Sequence, residues 1–242
     1  MKVVPVIDIL NGVVVHAVKG KRQEYQPLTS ILTQSVNPIE VAKAFKMCGF
    51  NELYIADLDA IQNDLMNFQA LKSIADETGL KLMVDAGVTN LETAEKLFDN
   101  GVSKIVIGTE TLEKKGFVGE TVKNWGNDRV IVSLDFRIDK VLVKLGFDGC
   151  KDPLCLLSEF KGMGVLDFIV LDLARVGSCE GINSDFLKKA LEKNVKVYVG
   201  GGVRDINDLI ALKNLGLSGV LVATALHSGK ISIKELKNNK IL

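Results

Sequence analysis

Apolar residues in this chain fall in short continuous runs rather than in alternation with polar ones. The runs are KVVPVID (2–8), ELYIAD (52–57), KLMVDA (81–86), KIVIG (104–108), RVIVSLD (129–135), DFIVLD (167–172), KVYVG (196–200) and GVLVAT (219–224). Runs of this kind mark parallel strands covered on both faces. Between them lie segments such as PIEVAKAFKMCG (38–49) and LETAEKLFDNG (91–101), with apolar residues at helical spacing and a glycine at the end. Eight strands alternating with helices over 242 residues predict an α/β fold, a closed (β/α)8 TIM barrel spanning 1–242 as one domain. A doubly wound open sheet is the alternative.

An internal repeat sharpens this expectation. Residues 84–112 align without gaps on 199–227, placing Gly87 on Gly202, Leu97 on Leu212, Gly101 on Gly216 and Thr109 on Thr224. The same offset places Asp57 on Asp172. Asp8 and Asp135 correspond as the ends of the first and fifth strands, but at a larger offset. The first half therefore carries extra residues, expected around KGKRQEYQPLTS (19–30). The pattern is that of two fused half-barrels, with residues 16–37 as a candidate lid.

Composition narrows the partners. Thirty basic and thirty acidic side chains cancel, so no global field draws in nucleic acid or an anionic membrane. No apolar run approaches the roughly 18 residues of a membrane span, and the opening residues lack a signal-peptide pattern. A cytoplasmic protein acting on a small molecule is expected. Cys48, Cys150, Cys155 and Cys179 form no C-x-x-C pair, and His16 and His227 are the only histidines. Buried or idle thiols are expected, with no metal and no other cofactor. Acid–base chemistry then falls to carboxylates.

Strand ends are where such a barrel places its chemistry. In VYVGGGVRD, Gly200, Gly201 and Gly202 lie where the seventh strand meets its loop, and Ala223 and Thr224 follow the eighth. Bare backbone N–H groups beside a helix start suit a phosphate. The repeat points to a second cup at Gly108 and Thr109, but there Asp85 and Ala86 replace two glycines. A carboxylate repels a phosphate, so Asp85 is expected either to bind a hydroxyl or amine or to be salt-bridged inside the barrel. Asp8 and Asp135 end strands that face each other across the mouth. Two such carboxylates can divide the roles of proton donor and acceptor if burial raises one pKa. Asp57, Asp59 and Asp172 extend the acidic ring. Arg175 is a partner for Asp172 or for a substrate anion, and Lys19, Lys21 and Arg22 lie on the long first loop, where they either close over a phosphate or stay solvated.

Together, VPVIDILNGVVVHAVKG, ADLDAI, VIGTETL, VSLDFR and VGGGVRD resemble the histidine-biosynthesis barrels across essentially the whole chain, more the isomerase branch of that family than its cyclase branch. The resemblance implies an Amadori-type isomerase with Asp8 as base and Asp135 as acid, working without a cofactor. It also implies departures: DAG replaces the glycine triplet of strand three, RVGSCEG replaces an Asp-Gly-Thr stretch after strand six and leaves only the Ser178 hydroxyl, and the loop after strand five lacks the tryptophan of the isomerase. A divergent paralogue acting on a different, singly phosphorylated compound fits that pattern. A lyase or synthase on another sugar or triose phosphate is a competing reading, and a non-catalytic phosphometabolite-binding barrel is another. A monomer or small homo-oligomer is expected, with a partner subunit conceivable because the cyclase branch works beside a glutaminase.

Overall fold

The structure is a computed structural model that describes residues 1–137, 140–178 and 185–242. Eight parallel strands run β1 (Lys2–Leu10), β2 (Glu52–Asp57), β3 (Lys81–Asp85), β4 (Val102–Gly108), β5 (Val130–Arg137), β6 (Asp167–Asp172), β7 (Lys196–Gly200) and β8 (Gly219–Val222). Each pairs with its neighbour in chain order. Pairing of Lys2–Pro5 with Gly219–Val222 then closes the ring, so the sheet is a barrel and the doubly wound alternative falls. Helices fill the connections: α1 (Pro38–Cys48), α2 (Leu58–Asn63), α3 (Phe68–Thr78), α4 (Leu91–Asp99), α5 (Gly116–Trp125), α6 (Pro153–Gly162), α7 (Asp185–Leu191), α8 (Ile206–Leu215), α9 (Thr224–His227) and α10 (Ile233–Asn238).

The continuous apolar runs follow from this closure, because each strand is buried on both faces. One set of alternate residues fills the barrel: Val4, Tyr54, Met83, Val106, Ile131, Ile169, Tyr198 and Leu221 pack as one cluster. The other set faces the helices. Ile7, Ile55, Val84, Ile105, Val132, Phe168, Val199 and Val220 belong to a second cluster that includes Phe45 of α1, Ile74 of α3, Leu97 of α4 and Phe160 of α6. Alternation of side chains along a strand separates the two layers.

The half-barrel repeat is visible in the backbone. Gly101 follows the Asn100 cap of α4 and Gly216 caps α8, with φ of +85° and +93°. The extra residues of the first half extend β1 outward. Val13–His16 runs antiparallel to β1 and pairs with Gln26–Pro27, with a turn of 3-10 helix at Arg22–Glu24 between them. The Lys19 N–H donates to the Val176 carbonyl at 2.8 Å, tying this segment to the loop after β6. Strand eight is shorter than its sequence run, because Ala223 and Thr224 already turn into α9.

Capping residues set where the helices start. Asn37, Asn90, Asp152 and Asp205 each accept a first-turn N–H through the side chain. Asp205 accepts from both Asn207 and Asp208 at the start of α8, the helix that follows the glycine triplet. Replacement of Asp205 by alanine is expected to cost about 1 kcal/mol. Urea unfolding would show this as a lower midpoint with an unchanged slope.

Candidate functional site

One cavity opens at the C-terminal end of the barrel strands. Its wall includes Asp8, Ala56, Asp85, Gly108, Asp135, Leu171 and Gly200, one from each of β1 to β7, together with Leu221 of β8. These residues have the same parity as the inner cluster, so the register that fills the barrel also delivers three carboxyl groups to its mouth.

Asp8 and Asp135 come from strands separated by three others on either side and therefore face each other across the ring. Their surroundings differ. Asp135 is held on both oxygens: the Ser133 hydroxyl donates to Oδ1 at 2.6 Å and the Glu110 N–H to Oδ2 at 3.2 Å. Among the described residues no hydrogen bond holds the Asp8 carboxyl; Arg22 acts on it only through its charge. Loss of water raises both pKa values to about 7. For Asp8 the Arg22 charge partly opposes the rise, whereas for Asp135 the neighbouring Asp85 adds to it. Gly108 makes room for this arrangement, since a Cβ there would sit 2.9 Å from Asp135 Oδ2 and 3.4 Å from Asp85 Oδ2.

Asp85 is buried, accepts the Gly87 N–H at 3.2 Å and pairs with the Tyr54 hydroxyl. Desolvation lifts its pKa to about 6. Above it the first loop crosses the mouth, and Arg22 pairs with Glu110 at 2.8 Å. Both line the cavity, with Tyr25, Arg137 and Val176. Glu110, Tyr54 and Arg137 were not singled out by the sequence. Glu110 sits inside the strand-four motif, one residue past Thr109, where its position beside the phosphate-cup candidates Gly108 and Thr109 carried a usable signal.

The glycine triplet lines the opposite rim with Ala223 and Thr224. Gly201 has φ of +94°, and a Cβ there would lie 2.6 Å from the Asp172 carbonyl oxygen. Strand six presses on this turn, so backbone packing alone demands glycine at that position. The N–H groups of Gly202, Val203, Thr224 and Ala225 have no protein acceptor among the described residues.

Other candidates lie elsewhere. Asp57 and Asp172 have outward parity. Asp57 is fully buried and accepts from Ala60 and Asn67 at the start of α2 and α3. Asp172 accepts the Ala174 N–H and pairs with Arg175 at 3.1 Å. Asp59 holds the Asn11 and Gly12 N–H groups. Thr109 is buried away from the cavity, its Oγ1 accepting the Asp135 N–H. Ser178 donates its hydroxyl to the Arg175 carbonyl, and neither it nor Lys19 is on the cavity wall. Lys21 pairs with Glu24. His16 lies 3.4 Å from the Thr224 hydroxyl. His227 is buried against Phe45 with its Nδ1 on Ser30, and burial pulls its pKa down to about 4. Cys48 and Cys150 are half-buried and Cys155 is exposed, so burial does not describe these thiols; Cys179 lies outside the described residues. Among the described residues no cluster of potential metal ligands occurs, and no helix is long and apolar enough to cross a membrane.

Residues 2–232 match the family described as histidine biosynthesis protein. An uncharacterized protein of Methanocaldococcus jannaschii is 37% identical, covering 98% of both chains. The Prochlorococcus marinus 1-(5-phosphoribosyl)-5-((5-phosphoribosylamino)methylideneamino)imidazole-4-carboxamide isomerase is 36% identical over 98% of this chain and 93% of its own. The isomerase of that name from M. jannaschii is 30% identical over 97% of both chains. That organism thus holds both an isomerase and an uncharacterized relative of the present chain.

Burial of Asp8 fixes the sign of a pH effect. The folded chain keeps this proton until about pH 7, whereas the unfolded chain releases it near pH 4. Its contribution to stability therefore falls as pH rises through that window. Asp8→Asn removes the ionisation without losing a hydrogen bond. Its melting temperature is expected to exceed that of the wild type by a margin that widens from about pH 5 to about pH 8.

Proposed function

The chain belongs to the histidine biosynthesis protein family, and from that premise we propose that it isomerises a phosphorylated aminoaldose to the aminoketose. The observation that carries this reading is the pair of desolvated carboxyls from opposed strands, both with pKa values near 7, on one cavity wall. An ordinary aspartate is a poor acid at neutral pH; a buried one can hold a proton to give and another can be free to take one.

Asp135 is assigned as the acid and Asp8 as the base. Asp135 donates its proton to the ring oxygen as the bond from that oxygen to the nitrogen-bearing carbon breaks, leaving an open-chain iminium. Asp8 then removes the proton from the adjacent carbon, and its electron pair forms the enolamine. Ketonisation adds a proton at the nitrogen-bearing carbon and removes one from the enol oxygen, so hydrogens balance between aldose and ketose. The hydrogen bonds on both oxygens of Asp135 hold the acid at a fixed position beside the ring, and the Asp8 carboxyl, without such donors, has its lone pairs available for the C–H proton. The substrate phosphate is assigned to the unpaired N–H groups of Gly202, Val203, Thr224 and Ala225, with Gly201 and Ala223 shaping the rim. The positive end of a helix turn favours an anion there.

Asp8→Asn and Asp135→Asn are each expected to lower kcat by roughly 10²–10⁴-fold with little change in KM. If both variants leave turnover and ligand affinity unchanged, the acid–base assignment fails and a binding or scaffolding barrel is preferred. The wild-type kcat/KM is expected to fall on both sides of about pH 7. The acidic limb reports protonation of the base, and the alkaline limb reports loss of the acid's proton. Expression in a histidine auxotroph lacking the isomerase tests the narrow form of the proposal: growth assigns the pathway reaction to this chain, and no growth despite soluble protein removes that substrate.

A further inference from the structure

The two repeat halves differ at the mouth, position by position. In the second half the N–H groups of Gly202, Thr224 and Ala225 are open. Their first-half counterparts are Gly87, Thr109 and Glu110, and protein oxygens occupy all three. Gly87 donates to Asp85 Oδ1 at 3.2 Å, Thr109 to the Ser133 carbonyl at 2.9 Å and Glu110 to Asp135 Oδ2 at 3.2 Å. Gly200, which leaves the second-half rim bare, corresponds to Asp85 itself. Of the four amides that the counterpart offers, only that of Val88, the equivalent of Val203, has no protein acceptor here among the described residues, so a phosphate at this end would meet two carboxylates and lose three of its four donors. Arg22, the cation over this end, is already paired with Glu110. Arg137 has its guanidinium beside Gly20 and Leu173, on the first-loop side of the cavity.

Carboxylates without a bound cation are hydrogen-bond acceptors. Asp85 is only 8% exposed, faces the cavity, and is steadied by Tyr54 and Gly87. We infer that Asp85 is a specificity-determining residue, through which the β3–β4 end of the mouth takes a hydroxyl, amine or amide of the substrate in place of a second phosphate. The substrate class is then a monophosphate whose distal end donates hydrogen bonds. This rests on the proposed binding of one phosphate at the β7–β8 rim, but not on any turnover.

Calorimetric binding tests it with two probes. One is the compound named for the isomerase relatives, which carries two phosphoribosyl groups. The other is 1-(5-phosphoribosyl)-5-aminoimidazole-4-carboxamide, a monophosphate with amino and amide donors. The wild type is expected to bind the monophosphate at least as tightly as the bisphosphate. Asp85→Gly is expected to weaken the monophosphate and tighten the bisphosphate, each by roughly tenfold, since a lost or gained charge-assisted contact is of that order. Asp85→Asn keeps the volume and removes the charge, so it should move the ratio in the same direction even where the glycine variant fails to fold. The inference is overturned if the wild type binds the bisphosphate about tenfold more tightly, or if both variants leave the ratio unchanged. Failure of the isomerase reading would appear separately, as absence of turnover with the binding pattern intact.

Discussion

Closure of the sheet between β8 and β1 is the constraint on which the site depends. In an open sheet each strand end would face solvent on its own, and the alternation of side chains would matter little beyond packing. In a closed ring every second residue of all eight strands is committed to one shared interior. Val4, Met83 and Ile131 fill the barrel, and the residues four, two and four positions further along are Asp8, Asp85 and Asp135. Packing and chemistry thus share one register. A one-residue slip of β1 or β5 would send its carboxyl into the helical layer and an apolar side chain into the cavity.

The barrel treats its two ends differently. At the N-terminal end the buried Asp167 is neutralised by Lys104 and Lys196. At the C-terminal end Asp85 and Asp135 are buried and Asp8 is half-buried, none with a cation in contact, and desolvation raises their pKa values. A paired buried charge is a structural element; an unpaired one costs stability and is useful only where a proton must move or a ligand must be met. The division matches the usual assignment of stability to one face of such barrels and activity to the other.

Duplication supplied the frame, and divergence of the halves supplied the asymmetry. The left-handed glycines that follow α4 and α8, Gly101 and Gly216, preserve the repeat. The rim does not: Gly200 and Ala225 leave backbone amides exposed, whereas Asp85 and Glu110, at the equivalent positions, bring in carboxylates that consume or screen them. The longer first loop adds to the difference, because Arg22 reaches Glu110 and carries a positive charge toward Asp8 without contacting it. The chain belongs to the histidine biosynthesis protein family, and the rim is where relatives of one fold can come to accept different molecules.

Much of this was legible in the sequence. Continuous apolar runs, helical spacing between them and the repeat determined the barrel, because strands buried on both faces tolerate few polar residues and duplication leaves a fixed offset. Asp8, Asp85, Asp135 and the glycine rim were legible as strand ends. Parity was not weighed for Asp57 and Asp172, which share the strand-end position but face outward, where α2 and the Arg175 turn take them up. Thr109 shared the repeat position of Thr224 yet is spent on the Asp135 amide. Only the tertiary structure decided which amides remain unpaired, that Arg22 meets Glu110 across the mouth, and how far burial raises each carboxyl. Those quantities depend on what segments distant in the chain place within a few ångströms of one another, and no local pattern encodes that distance.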